Sequence, residues 1–171
     1  MVANALRSDD TEAFVQALCD LGGEARWSGD DVQVEPLRGG GSGSVQCRDA
    51  GTAARFLPPT AVALGGTYEF DASDQLRARP MADLLDALRS LGATVEGAVD
   101  DDHLPAVVRS NGLLGGSIAL SGGTSSQFLS GLLMAAPPAS SPLTGEVSGL
   151  SDRTSVDLTI GTMCAIRRTV R

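Results

Sequence analysis

The stretch Gly122–Leu129, GGTSSQFL, decides how the rest of the chain is interpreted. A glycine pair leads into hydroxyl and amide side chains, and an apolar, helix-like run to Ala136 follows directly. The first backbone N–H groups of a helix lack intrahelical partners and carry partial positive charge. Beside serine hydroxyls, such a start favours binding of an anion, above all phosphate. Simple capping of the helix by Ser125 or Ser126 is the alternative, and this stretch alone leaves both open.

The same pattern occurs a second time, earlier in the chain. Gly51–Leu57 (GTAARFL) matches Gly123–Leu129 (GTSSQFL) at an offset of 72 residues, with glycine, threonine, phenylalanine and leucine repeated. Ala17–Gly23 likewise matches Ala87–Ala93 at an offset of 70 residues. The chain therefore carries a repeated unit of about seventy residues: a glycine-started helix, a strand, a second helix and paired strands. The first copy lacks its glycine-started helix, and the third lacks its closing strands.

Composition limits the class of protein. The 171 residues, of which 42% are hydrophobic and 21 are glycine, fit one turn-rich α/β or α+β domain spanning residues 1–171. The net charge is −8 and all 13 basic residues are arginine, which argues against nucleic acid and anionic membranes as partners. The sequence shows neither a signal peptide nor an apolar run long enough to span a bilayer, so we expect a cytoplasmic protein.

The cysteines do not predict a metal or redox site. Cys19, Cys47 and Cys164 are widely spaced and are expected to be reduced thiols. The single histidine, His103, follows a run of three aspartates, which makes a Cys–His nucleophile a remote alternative.

Hydrophobic periodicity predicts five helices and seven strands. The first helix is Ser8–Gly23, with Asp9 and Glu12 as a capping box, and the second is Gly51–Leu64, which Pro58 and Pro59 are expected to kink or shorten. The third has Pro80 in its first turn, and its inward face consists of Met81, Leu84, Leu85, Leu88 and Leu91. The last two are Ser125–Ala136 and Ser155–Ile166, the latter with Val156, Ile160 and Met163 inward. The strands are Val32–Val34, Val45–Cys47, Tyr68–Phe70, Ala93–Glu96, Ala106–Arg109, Ser117–Leu120 and Glu146–Val147. Gly39–Ser44 is predicted to be a mobile hairpin loop.

Four segments resemble motifs of the 5-enolpyruvylshikimate-3-phosphate (EPSP) synthase family. Asp49–Phe56 is similar to N-A-G-T-x-x-R, Leu76–Met81 to L-x-x-R-P-[MI], Ser125–Pro137 to S-S-Q-F-L-x-x-L-L-x-A-P, and Ser8–Thr11 to S-D-D-T. Their order and spacing agree along nearly the whole chain. The resemblance implies an α/β (α+β) fold, one domain of an inverted α/β barrel built from three βαβαββ units, with the first and third units incomplete.

The resemblance also implies an activity. The family transfers the enolpyruvyl group of phosphoenolpyruvate to the 5-hydroxyl of shikimate 3-phosphate, in chorismate and aromatic amino acid biosynthesis, without a metal or organic cofactor. Ser125 and Ser126 would hold the 3-phosphate of shikimate 3-phosphate, and Gln127 would reach its ring and phosphoenolpyruvate. Arg79 would grip phosphoenolpyruvate with its fork of donors. Gly51, followed by Thr52 in the same site, would let the backbone approach phosphoenolpyruvate closely.

Several positions depart from the family pattern. Asp49 replaces an asparagine and puts a negative charge near an anionic substrate. Asp152 and Arg153 stand in the family's S-[KR]-P-Y segment, where an aspartate repels phosphate unless the arginine compensates. Arg55, inside a helix, is interpreted as a structural ion pair more readily than as a ligand contact.

Some of the family's machinery has no counterpart in the sequence. The N-terminal S-K-S segment and the second domain, with its proton-transferring Asp and Lys, are missing, so we expect no catalytic residue here. The sequence is interpreted as part of an EPSP synthase that binds substrate but turns over poorly alone. The alternative is a non-catalytic truncated paralogue that binds a small phospho-ligand or a protein. The UDP-N-acetylglucosamine enolpyruvyl transferases are a poorer match. Loss of a core helix predicts a complementing domain or self-association.

Overall fold

The computed structural model describes residues 1–97, 100, 102–120, 125–147 and 153–169, with the backbone alone at 167–169. The helices are α1 Asp9–Asp20, α2 Gly51–Leu64, α3 Asp74–Arg77, α4 Ala82–Ser90, α5 Ser126–Ala135 and α6 Thr154–Thr169. The strands are β1 Ala25–Ser28, β2 Asp31–Val34, β3 Gly41–Gln46, β4 Gly66–Asp71, β5 Thr94–Gly97, β6 Ala106–Ser110, β7 Gly116–Leu120 and β8 Leu143–Val147. None of the helices in this described part is both long and apolar enough to cross a membrane.

The sheets reveal the repeat predicted from the sequence. β3 and β4 pair in parallel, and β6 and then β5 extend that sheet antiparallel, in the order β3-β4-β6-β5. β7 and β8 pair in parallel as β3 and β4 do, while β1 and β2 pair antiparallel as β5 and β6 do. The stretch from β3 to β6 is therefore one complete βαβαββ unit. α1-β1-β2 forms the end of such a unit and β7-α5-β8-α6 the beginning of another, which confirms the predicted fold class.

Helix α2 lies at the centre of the core, packed against α5, α1, β4 and β6. Leu57, Pro58, Pro59 and Val62 are all buried. The prolines do not shorten the helix, which continues to Leu64 because burial on several sides stabilises it more than the absent proline N–H groups weaken it.

Helix α4 buries the predicted face. Met81, Leu84, Leu85, Leu88 and Leu91 are each at most 1% exposed, which confirms the helical spacing of these residues. The helix begins only at Ala82, however, with Met81 as its N-cap. Pro80 therefore precedes the helix, and the prediction that it lies in the first turn is wrong. The one-turn helix α3, which comes before it, was not predicted.

The start of α1 corrects the predicted capping box. Ser8 is the N-cap, with extended backbone, and it exchanges hydrogen bonds with Thr11: Ser8 N–H donates to Thr11 Oγ1 at 2.9 Å and Thr11 N–H to Ser8 Oγ at 3.3 Å. Asp9 is already helical, so the predicted box of Asp9 and Glu12 is wrong by one position. The Glu12 carboxylate instead accepts from Arg7 Nε at 2.8 Å.

The predicted hairpin loop over Gly39–Ser44 is also wrong, because residues 41–44 belong to β3. Gly41 and Gly43 allow the β3 backbone to lie close to Tyr68 and to the end of α1. A Cβ at Gly41 would lie 2.7 Å from Tyr68 Oη, and a Cβ at Gly43 would lie 2.8 Å from the Asp20 carbonyl oxygen. The absence of side chains lets β3 pair with β4 beneath α1, where a loop was expected from composition alone.

Helix α6 packs on α5, and Thr159 Oγ1 donates to Ser130 Oγ at 3.0 Å. Val156 is buried as predicted. Ile160, predicted to point inward, is 46% exposed, because the face toward α5 passes through Val156 and Thr159 and leaves Ile160 beside it.

Candidate anion-binding site

A cavity of about 290 Å³ lies where α2, the segment before α4 and the start of α5 meet. Its described lining contains two arginines, a serine, an aspartate, an aromatic ring and two small apolar residues: Arg55, Arg79, Ser125, Asp83, Phe128, Pro80 and Ala82. The fold thus brings together residues from all three of the longer motifs quoted above.

Arg55 forms the floor of the cavity and is only 8% exposed. It lies one helical turn after Gly51, and its Nη1 donates to the Gly51 carbonyl at 3.0 Å. Its guanidinium carbon lies 5.9 Å from the centroid of the Phe128 ring on α5. Among the described residues no carboxylate lies within ion-pair distance of it, so the structural ion pair interpreted for Arg55 stays a prediction without a partner in this part of the chain.

Arg79, in the segment between α3 and α4, also lines the cavity and is exposed. Its backbone N–H closes the turn after α3 by donating to the Leu76 carbonyl at 3.1 Å, and Pro80 then fixes the direction of the chain. In the part of the chain that the structure describes, the Arg79 guanidinium makes no hydrogen bond or ion pair. Its donors are therefore available to a ligand.

The two arginines affect each other. Burial, and secondarily the positive charge of Arg79, lowers the pKa of the Arg55 guanidinium below its ordinary value. The group still carries its charge at neutral pH. The described lining therefore holds two arginines against one aspartate, Asp83, and this excess of positive charge favours an anion as the ligand.

The start of α5 supplies the hydroxyl groups. Ser125 is the N-cap, and its Oγ accepts from the Gln127 N–H at 3.3 Å, so the capping alternative holds for this residue. Ser126 and Gln127 are half-buried in the first turn, and their side chains have no hydrogen-bond partner among the described residues. The glycine pair and Thr124, which precede the helix, lie outside the described residues.

Gly51 and Thr52 begin α2, and neither is among the described residues lining the cavity. The closest atom to a Cβ built on Gly51 would be Nη1 of Arg55. Glycine at this position therefore leaves room for the Arg55 guanidinium, and its predicted role of admitting phosphoenolpyruvate stays a prediction.

The altered acidic positions fall away from the described lining. Asp49 accepts a hydrogen bond from the hydroxyl of Ser73, which also caps α3 by accepting from the Leu76 N–H at 3.3 Å. The Asp49 charge is thus used to hold the β3–α2 turn against α3. Asp152 lies outside the described residues. Arg153 is exposed just before α6, and its carbonyl accepts from the Asp157 N–H at 2.9 Å.

Thiol chemistry is not favoured. Burial, together with the charges of Asp71 and Asp20, raises the pKa of the Cys47 thiol to about 12, which keeps it protonated at neutral pH. His103 is engaged with Asp100, Nδ1 to Oδ1 at 3.0 Å.

Sequence reasoning missed Arg55 as part of the cavity, and also missed Asp83 and Phe128. A signal was present for Arg55, because it follows Gly51 at the i+4 spacing that puts two residues on one helix face. Asp83 and Phe128 come from other segments, and only the packing of α4 and α5 on α2 brings them close.

Comparison with known proteins agrees with this architecture. The family model for EPSP synthase (3-phosphoshikimate 1-carboxyvinyltransferase) matches residues 1–171. The chain is 40% identical over 151 residues to a 3-phosphoshikimate 1-carboxyvinyltransferase 2 of Halalkalibacterium halodurans, covering 87% of this chain and 34% of that protein. It is 40% identical over 150 residues to a 3-phosphoshikimate 1-carboxyvinyltransferase of Mycobacterium ulcerans, with 86% and 34% covered.

Solved structures show the same fold. EPSP synthase from Acinetobacter baumannii superposes with a TM-score of 0.62 at 20% identity, over 81% of this chain and 34% of that one. The fold defines a portion of a protein class built from repeated βαβαββ units. The chain belongs to the EPSP synthase family, and it spans about a third of the length of the relatives it matches.

Proposed function

We propose that this chain is a substrate-binding portion of a 3-phosphoshikimate 1-carboxyvinyltransferase. In this proposal it holds shikimate 3-phosphate through Ser125, Ser126 and Gln127, and phosphoenolpyruvate through Arg79 beside Gly51 and Thr52. Turnover requires the rest of a full-length enzyme. The family match supports the reaction, and the cavity supports the site.

One observation carries the proposal: the cavity joins the Arg79 guanidinium, which has no partner among the described residues, to the serine-capped start of α5. Both substrates are anions that carry a phosphate. Arginine forks, serine hydroxyls and free helix N–H groups are the donors that bind phosphate in proteins.

Calorimetric titration with shikimate 3-phosphate, and then with phosphoenolpyruvate in its presence, tests this proposal. We expect micromolar to millimolar affinity for shikimate 3-phosphate. Replacing Ser126 by Ala should weaken shikimate 3-phosphate binding, and replacing Arg79 by Ala should weaken phosphoenolpyruvate binding, each by about tenfold or more, because a hydrogen bond to a charged group contributes about 1.5–3 kcal/mol.

Arg109→Ala is the matched control, because that arginine pairs with Glu96 at 2.8 Å on the surface, outside the cavity lining. Its affinity should equal that of the unmodified chain. If the chain binds neither substrate, the enzyme-portion proposal fails and the non-catalytic paralogue becomes the better description.

The proposal includes a requirement for turnover.

Phosphate release should be measurable only after a chain that carries the remaining two thirds of a family enzyme is added. Residues 1–171 are proposed to act as one domain, supported by a buried core that is continuous from α1 to α5. A cytoplasmic location is supported by Cys19, Cys47 and Cys164, all free thiols.

A further inference from the structure

Arg55 is in an environment that a purely structural arginine rarely occupies. The residue is 8% exposed, and its buried Nε has no hydrogen-bond partner among the described residues. Its polar contact within the described chain is one backbone carbonyl, that of Gly51 at 3.0 Å. A guanidinium has five N–H donors, so most of its capacity is unused.

The environment also opposes the charge. A buried cation without an ion-pair partner is unfavourable, and among the described residues the charge that perturbs Arg55 is that of a second cation, Arg79. The stack on Phe128 compensates only in part, since cation–π contacts contribute little compared with the loss of hydration. An anion placed between the two guanidiniums would offset the repulsion and accept hydrogen bonds from the donors of Arg55 and Arg79 that face the cavity.

We infer that Arg55 is a ligand-contacting residue, which together with Arg79 clamps the phosphoryl group of the ligand in the cavity. The inference deepens the proposed function and rests on it for the identity of the ligand. Both proposed substrates carry a phosphoryl group, so the chemistry recognised is a phosphate dianion. Two arginines can present enough donors for the three outer oxygens of such a group.

Gly51 sets the position of this clamp. A Cβ at Gly51 would overlap Nη1 of Arg55, and it would lie 3.7 Å from Cζ of Arg55 and 3.8 Å from Nη1 of Arg79. The Arg55 guanidinium is the far end of a flexible side chain, so an alanine would displace it at small cost to the fold. Gly51→Ala should therefore weaken phosphate binding by moving Arg55, even where the added methyl group does not touch the ligand.

Thermal unfolding with inorganic phosphate, compared with chloride at equal ionic strength, tests the clamp. Phosphate at about ten times its Kd should raise Tm by about 3–6 °C. Arg55→Gln should lose this shift, while its Tm without phosphate equals or exceeds that of the unmodified chain, because a strained buried charge has been removed. Arg109→Gln, the surface control, should keep the full shift.

Arg55→Lys covers the case in which the glutamine variant fails to fold. It keeps the charge and loses the fork, so phosphate affinity should fall by about fivefold or more. In a double-mutant cycle, Gly51→Ala should weaken binding in the Arg55 background and add little in the Arg55→Lys background. The inference is overturned if the unmodified chain shows no phosphate shift, if Arg55→Gln keeps the shift, or if Arg55→Lys binds phosphate with unchanged affinity.

Separate titrations with phosphoenolpyruvate and shikimate 3-phosphate identify the source of the phosphoryl group. The substrate whose affinity falls in Arg55→Lys is the one held by the clamp. If both substrates bind and neither affinity changes, the clamp is wrong and the proposed function stands. If neither substrate binds but the phosphate shift depends on Arg55, the proposed function fails and the clamp stands.

Discussion

Two arginines of this protein, Arg55 and Arg77, differ in whether a carboxylate lies beside them. Arg55 is buried without a carboxylate partner in the described chain, whereas Arg77 has one in Asp71. Arg77 Nε and Nη2 each donate to an Asp71 oxygen at 2.8 Å, a two-point pair at the end of β4. The first arginine is poised for a ligand, and the second closes the fold around α3.

The Asp71–Arg77 pair gives a pH prediction. The hydrogen bond from Arg77 is the main cause that lowers the pKa of the Asp71 carboxyl below its ordinary value. A depressed folded-state pKa contributes stability that is present above the unfolded pKa of about 3.9 and is lost as pH falls below it. Asp71→Asn should therefore lower Tm at pH 7 by about 2–4 °C, and the difference should vanish toward pH 2.

Asp74→Asn is the control for that measurement, because Asp74 contacts the same arginine at 3.4 Å with a fully exposed side chain. Exposed pairs contribute little, so its Tm should be unchanged across the same pH range. Equal losses in the two variants, or a difference at Asp71 that grows in acid, would contradict the prediction.

At the scale of elements, the contact between α2 and α5 organises the molecule. Pro59 has no N–H to donate to the Arg55 carbonyl, and that oxygen faces Gly131 of α5. A Cβ at Gly131 would lie 2.6 Å from it and 3.3 Å from Cα of Phe56. The glycine allows the two helix backbones to meet, which brings Phe128 and Ser125 beside Arg55.

Two helical glycines make a matched test of this packing. Gly131→Ala should lower the free energy of unfolding by about 1–3 kcal/mol, since the methyl group would push α2 and α5 apart. Gly161→Ala in α6 should raise that free energy by up to about 1 kcal/mol, because a Cβ there meets nothing within 4 Å and alanine favours the helix. Urea denaturation measures both, and the prediction is wrong if both alanines act in the same direction.

At the scale of the whole molecule, the repeated units differ in what packs against their second helix. α1 packs on β3, the first strand of the following unit, and α4 packs on β7 in the same way. α6 has no following strand in the described chain. Its outer face carries the exposed Leu158, Ile160 and Ile166, beside a shallow hollow of about 530 Å³. Such a face favours association with other apolar surface.

We therefore expect concentration-dependent self-association of this chain in sedimentation velocity. Replacing Leu158 and Ile166 together by Gln should reduce it, since both are exposed at 60% or more and contribute little to the core. Leu114→Gln is a control with an exposed leucine elsewhere, 58% accessible. A single monomeric species of the unmodified chain at all concentrations would contradict this expectation.

The sequence by itself determined the repeat, the fold class and most of the helices. These features depend on periodic burial and local capping, which neighbouring residues encode. The leucine face of α4 and the cap at Ser125 were predictable for this reason. The tertiary structure alone decided that Gly41 and Gly43 form a strand and that Ile160 faces outward, because both depend on what packs beside them.

Some residues of the candidate site could be predicted from the sequence, and others only from the tertiary structure. Arg79 and the serines were identified from motifs, since each lies within a short local pattern. The role of Arg55 depends on residues that are distant in sequence, the ring of Phe128 and the charge of Arg79, and on the lack of a carboxylate partner among the described residues. Charge burial and repulsion are properties of three-dimensional proximity, and for that reason only the folded chain shows that two arginines share one cavity.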